Sequence, residues 1–171
     1  GLVMAGHSER RHVFGETDIE ENKKIKAALK HGFTALLCIG ETQEQKDYGI
    51  SPEVLRSQLK IGLHGIPSDQ LHKLWIAYEP VWSIGINGTP ATPDYAESMH
   101  KIIKETLREL FCEASEQIPV LYGGSVNSDN AEELIIQPSI DGLFTGRAAW
   151  DADKFNDLIR KAINAYRSCQ K

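Results

Sequence analysis

Five short apolar runs punctuate the chain, and each is followed by a longer amphipathic stretch. The runs are Leu2–Ala5, Phe33–Ile39, Leu74–Tyr78, Pro119–Tyr122 and Gly142–Thr145. Polar alternation is mostly lacking within them, so they read as strands buried on both faces. The intervening stretches carry apolar residues at helical spacing. Ile19, Asn22, Ile25, Ala28 and Leu29 form one stripe, with Thr17 or Asp18 as its cap. Val54, Leu55, Leu59 and Leu63 form a second, entered through Ser51-Pro52, and Tyr95, Met99, Ile102, Ile103 and Leu107 a third, after Thr92-Pro93. Ala131, Leu134 and Ile135 mark a short fourth helix; Phe155, Leu158, Ile159, Ala162 and Ile163 mark the last. Strand followed by helix, repeated in this way, calls for an α/β fold with a parallel sheet and right-handed crossovers. An open doubly wound sheet and part of a closed barrel both satisfy the pattern, and periodicity does not choose between them.

Size and charge narrow the function classes. With 171 residues, the chain accommodates one well-cored domain spanning 1–171. Its net charge of −5 (19 Lys+Arg against 24 Asp+Glu) comes without a basic block, which argues against nucleic acid as a partner. No apolar run reaches the roughly 20 residues of a membrane span. Cys38, Cys112 and Cys169 are scattered without CxxC spacing, which suits free thiols in a reducing cytosol and a cytoplasmic location. His7 and His12 lie five apart in a loop-like stretch and the other histidines are dispersed, so no metal site is expected. The Glu41-to-Lys46 run reads as a solvated face. The chain opens on Gly1-Leu2-Val3-Met4, an apolar strand with no element before it, which suggests a truncated N-terminus.

In both architectures ligands bind at the C-terminal ends of the strands. Those ends read Gly6-His7-Ser8-Glu9-Arg10-Arg11, Cys38-Ile39-Gly40-Glu41, Ala77-Tyr78-Glu79-Pro80-Val81-Trp82, Tyr122-Gly123-Gly124-Ser125-Val126-Asn127 and Thr145-Gly146-Arg147. A carboxylate over a small substrate can remove a proton from carbon beside a carbonyl, and a neutral imidazole can polarise that carbonyl. Glycine-rich turns ahead of helices expose N–H groups that suit a phosphate. Together they suggest proton transfer on a phosphorylated hydroxy-carbonyl compound. Each piece also has a purely structural use, as a buried His, a loop carboxylate or a plain turn, so spacing alone leaves the reaction class open.

Those strings resemble the triosephosphate isomerase family, and the resemblance runs the whole chain. It implies an α/β fold that is a partial TIM (β/α)₈ barrel: five parallel strands alternating with helices, equivalent to strands four to eight, with strands one to three missing. A barrel of roughly 250 residues is short here by about 80. By resemblance, Glu79 is the catalytic base, His7 the neutral electrophile, and Glu9 a supporting carboxylate that pairs with the family's active-site lysine. Triosephosphate isomerase is itself the standard example of a glutamate base working with a neutral imidazole, so these roles are the family's. Gly85, Ser125 and Gly146 match backbone phosphate donors. Pro80 to about Ala91, including Val81, Trp82 and Ile84, matches a closing lid, with Trp82 at its hinge or in the core and Tyr122 anchoring the closed lid through its hydroxyl. The resemblance further implies a small phosphorylated sugar as substrate, no cofactor, and usually a homodimer.

The match has departures. The family's Asn-x-Lys pair from strand one has no counterpart, so the 171-residue chain by itself is expected to be inactive. The strand-eight loop places Arg147 where a second glycine is usual, either reshaping the phosphate site or pointing into solvent. The lid reads Ile84-Gly85-Ile86-Asn87-Gly88-Thr89-Pro90-Ala91, one residue longer than usual and lacking a lysine, with Pro90 stiffening its second hinge. The lid and Arg147 changes resemble a divergent branch acting on four-carbon keto-sugar phosphates such as L-erythrulose 1-phosphate. Two alternatives to triosephosphate isomerisation therefore stand: that four-carbon reaction, and a non-catalytic sugar-phosphate-binding or assembly fragment.

Overall fold

The computed structural model describes residues 1–85 and 88–169, so Ile86 and Asn87 of the expected lid lie outside the described residues. Five strands, β1 (Leu2–Ala5), β2 (Thr34–Ile39), β3 (Leu74–Tyr78), β4 (Val120–Tyr122) and β5 (Gly142–Leu143), form one parallel sheet in the order β1-β2-β3-β4-β5. That order resolves the ambiguity left by periodicity. A doubly wound sheet reverses its strand order at a switch point; here each strand pairs with the one before it, as in an arc of a (β/α) barrel. The register aligns Met4 with Leu36 and Leu36 with Trp75, and Cys38 with Ala77 and Ala77 with Leu121. These residues share the inner face, where Leu36, Cys38 and Ala77 pack with Trp75, Leu121 and Phe144. The opposite face meets the helices through Leu37, Ile39, Ile76, Tyr78, Val120 and Tyr122.

The helices start where the sequence offers caps. α1 (Ser8–His12) is a single turn after β1, and α2 (Asp18–Lys30) opens on a capping box between Thr17 and Glu20. α3 (Gln43–Asp47) repeats that device with Thr42 and Gln45. α4 (Ser51–Gly62) and α5 (Pro93–Phe111) carry Pro in the first turn, and Thr92 caps α5. α6 (Ala131–Ile135) and α7 (Ala152–Cys169) complete the set. Leu55 and Leu59 of α4 and Ile103 and Leu107 of α5 bury the expected stripes. Among the described residues no helix is long and apolar enough to cross a membrane.

Several expectations need correction. Leu2 and Met4 are about half exposed, because β1 has a strand partner on one side only. Phe33 and Pro119 fall outside their strands: the Phe33 N–H donates back to Ala28 at the end of α2, and Pro119 has no N–H to give a ladder. The fifth strand stops at Leu143. In α7 only Leu158 is buried, since the helix packs on α6 and the short turn at Arg147–Ala149. In α2 Ile19 is exposed and Glu21 faces inward instead, while Asn22 donates to the Gly62 and His64 carbonyls of the neighbouring unit.

Glu21 is an oddity with a measurable consequence. Both its oxygens are buried without a hydrogen-bond partner, and the Lys24 ammonium is 3.9 Å away. Burial first, and neighbouring Glu16 second, push its carboxyl up to about 7. Such a group favours the folded state at low pH and loses that advantage as pH rises through about 7. Glu21→Met is therefore expected to stabilise the protein by about 1 kcal/mol at pH 8 and by less at pH 5. Urea midpoints at the two pH values measure this; equal shifts at both would refute the account.

Candidate active site

The rim at the C-terminal ends of the strands gathers most of the residues singled out in the sequence. His7 occupies the N-cap of α1, and its Nδ1 accepts the Glu9 backbone N–H at 3.3 Å. A ring nitrogen that accepts a hydrogen bond carries no proton, so this contact selects the neutral tautomer protonated on Nε2. That Nε2 lies 3.7 Å from Glu79 Oε1. Arg11 fixes the base of the turn: it donates to the Gly6 carbonyl at 2.7 Å and the Cys38 carbonyl at 3.0 Å, and pairs with Asp18. Nothing in the sequence distinguished Arg11 from a surface arginine; its value comes from joining the ends of two strands.

Glu79 follows β3 and points to the inner face, with its side chain 4% exposed. Its N–H donates to Ile39 at 2.7 Å, which locks the ends of β2 and β3 together. Burial pushes its carboxyl up to about 7, against the opposing pull of the Ser8 amide, the Cys38 thiol and Arg11. The same burial, with the Glu79 charge second, raises the Cys38 thiol. A carboxylate with this range is half ionised near neutrality, which suits a general base. Close approach of the strand ends allows no side chain at Gly40, where a Cβ would stand 1.9 Å from the Glu79 carbonyl oxygen.

Glu41, expected in a solvated face, is instead fully buried and organises the segment that follows β3. Its carboxylate accepts from Tyr78 Oη at 3.0 Å, Trp82 Nε1 at 2.8 Å and Tyr95 Oη at 2.9 Å. Lys46 lies over the Trp82 ring with Nζ 3.4 Å from the centroid, so it too is engaged. Pro80 and Ser83 are buried, Val81–Ser83 form one turn of 3₁₀ helix, and the Val81 N–H donates to the Glu41 carbonyl at 2.9 Å. Ile84 and Gly85 continue outward, with Gly85 at φ +92°, a conformation that favours glycine. Tyr122 lies beneath this segment. Its hydroxyl is buried beside Ser83 and the Ala91 backbone, burial pushes its pKa up, and it has no hydrogen-bond partner among the described residues.

His7, Glu9, Ile84, Gly85, Ser125, Gly146 and Arg147 line one cavity of about 720 Å³. Glu79 adjoins it through His7. Ser125 stands at φ 48° and donates from Oγ to the Ser83 carbonyl, while the Asn130 side chain accepts from the Asn127 N–H and donates to the Ser125 carbonyl. Asn130 thus shapes the loop after β4, a role that sequence reasoning missed. Arg147 is exposed, and its guanidinium donates to the Gly85 carbonyl. Lys154, also unforeseen, is a second cation on the cavity wall. Among the described residues no group of His, Cys, Asp and Glu is placed to hold a metal ion. Another cavity, of about 640 Å³, opens at the other end of the strands beside Pro119 and Asp141, but its Lys104 and Arg108 are paired with Asp141 and Glu116.

The family model for triosephosphate isomerase matches residues 1–162. The chain belongs to that family. Among its relatives are an L-erythrulose-1-phosphate isomerase of Rhizobium etli, 48% identical over 96% of this chain, and another of Rhizobium meliloti, 47% identical over 96%. A triosephosphate isomerase of Roseiflexus is 47% identical over 92% of the chain. The chain spans 61%, 64% and 62% of the lengths of these three relatives. Membership of the triosephosphate isomerase family agrees with the consecutive strand order of the sheet.

Proposed function

We propose that the full-length protein is an aldose–ketose isomerase of short sugar phosphates, interconverting dihydroxyacetone phosphate and glyceraldehyde 3-phosphate. The observation that carries this reading is the 3.7 Å approach of His7 Nε2 to a buried Glu79 whose carboxyl titrates near 7. The Glu79 carboxylate takes the proton from the carbon beside the substrate carbonyl, and the C–H electron pair moves to form the enediolate. The His7 Nε2–H gives its proton to the former carbonyl oxygen and recovers the hydroxyl proton from the adjacent oxygen, where the new carbonyl forms, while Glu79 returns its proton to the former carbonyl carbon. Gly85, Ser125 and Gly146 hold the phosphate through backbone N–H groups, with Arg147 beside them. Glu9 supports the rim. Pro80 to Ala91 closes over the intermediate, which would otherwise be exposed to water and phosphate loss; Trp82 is the hinge, and Tyr122 anchors the closed lid.

A second reading, isomerisation of L-erythrulose 1-phosphate, is favoured by the two rhizobial relatives bearing that name and by Arg147 in the cavity wall. Initial rates of the full-length protein on glyceraldehyde 3-phosphate and on L-erythrulose 1-phosphate test both. Higher kcat/KM on the three-carbon substrate is expected. A higher value on the four-carbon one overturns that choice, and no turnover of either leaves the non-catalytic, sugar-phosphate-binding alternative.

A further inference from the structure

Many of the cations of this acidic chain have acidic partners: Arg10 and Lys24 meet Glu16, Arg11 meets Asp18, and Lys104 meets Asp141. Arg147 and Lys154 differ. Among the described residues neither forms an ion pair, yet both line the cavity that contains His7, Ser125 and Gly146. Lys154 is brought there by the first turn of α7, where its own N–H is held by the Asp151 carboxylate at 2.9 Å. The Arg147 guanidinium reaches across to the Gly85 carbonyl at the start of the lid.

A neutral carbonyl is a weak partner for a guanidinium. It occupies little of a fork of five N–H donors and supplies no countercharge. A phosphate dianion supplies both, and the planar fork matches its oxygens in pairs. Gly85, at φ +92°, lacks the side chain that would resist rotation of its peptide once the contact is given up.

The geometry points to Arg147 as an exchangeable latch between the strand-eight loop and the lid, which gives up the Gly85 carbonyl for a phosphate oxygen while Lys154 supplies a second positive charge. This rests on the proposal that the cavity receives the phosphate group of a sugar phosphate. Arg147 is thus a positioning residue: arrival of the phosphate is what releases the Gly85 carbonyl from the strand-eight loop, leaving the Gly85 N–H to take the phosphate.

Inorganic phosphate is the probe. A ligand that binds only the folded state raises the melting temperature with concentration, so melting of the full-length protein in phosphate reads affinity without any turnover. Arg147→Ala is expected to weaken phosphate about tenfold, and Lys154→Ala about threefold. Amide hydrogen exchange at Ile84 and Gly85 reads the latch. Without phosphate, exchange there is expected to be faster in Arg147→Ala than in wild type; adding phosphate slows it at Gly85, whose N–H then holds a phosphate oxygen. Arg147→Lys, which keeps the charge and loses the fork, is expected to recover only part of both effects. Phosphate affinity within twofold of wild type in Arg147→Ala overturns the proposal, as does unchanged exchange at Gly85. Turnover of a sugar phosphate alongside either result sinks the latch while leaving the isomerase reading intact. Wild-type melting unmoved by phosphate also overturns the latch; absence of turnover on both sugar phosphates instead counts against the isomerase.

Discussion

Replacing Glu79 by glutamine is expected to lower kcat/KM of the full-length protein by about 10²–10⁴-fold while making the fold more stable at alkaline pH. The first effect follows from removing the proposed base, since an amide cannot accept the substrate proton. The second follows from the environment that makes the base effective. Burial raises the Glu79 carboxyl from 4.5 to about 7. Below pH 4.5 the group is neutral in folded and unfolded chains alike, and it contributes no penalty. Between 4.5 and about 7 the unfolded chain releases its proton first, so the folded state loses stability as pH rises. Above that window the penalty is complete, about 3 kcal/mol. Glutamine does not titrate, so its stabilising effect is expected to be near zero at pH 4 and largest at pH 8. Chemical denaturation across that range checks it, and a flat difference would show that the carboxyl is not raised. In wild type, kcat/KM is expected to climb with pH up to about 7 and level off above it.

Glu41→Ala is expected to cost about 3–5 kcal/mol, a large share of a domain's stability. The Glu41 carboxylate is the shared acceptor for Tyr78, Trp82 and Tyr95. Of these donors Tyr78 is wholly buried, so water cannot replace the lost acceptor. Glu41→Gln retains one acceptor oxygen and is expected to cost about 1 kcal/mol. Since Trp82 lies in the segment proposed as the lid, the alanine variant is also expected to lose activity beyond what its stability explains. Urea midpoints combined with rates measured well below the transition separate the two effects. A loss under 1 kcal/mol for the alanine variant would mean that the three donors find other partners.

How far these features could be read from residues alone depended on whether the controlling interaction was local. Thr17 and Glu20 form a capping box three residues apart, and Thr92-Pro93 starts α5, so helix entries were visible in short windows. The winding of the sheet was not visible in periodicity, because strand runs look alike whichever neighbour they pair with; the family resemblance supplied it. His7, Glu9, Ser125 and Gly146 could be placed on one rim because strand-end motifs carry their position with them. Glu41 was misread for the opposite reason. Its partners are 37, 41 and 54 residues away in sequence, and a carboxylate among polar neighbours looks solvated until those aromatic donors fold over it. Ile19 was misplaced for a similar reason, since helical spacing defines a stripe but not which side of the stripe the sheet will cover, and Glu21 takes the inward position. Lys154 had no local signal at all.

The spatial order of the strands repeats their order in the chain, and this has a consequence for assembly during synthesis. Each new strand emerging from a ribosome finds its partner already made, so the sheet can grow by one unit at a time without waiting for a distant segment. The cavity obeys a different schedule. One wall carries His7 and the other Arg147, so it is completed only when the β5 loop docks. Most of the backbone order can therefore be in place while the molecule is still unable to hold its ligand, and ligand capture reports the end of folding where helix content reports its progress.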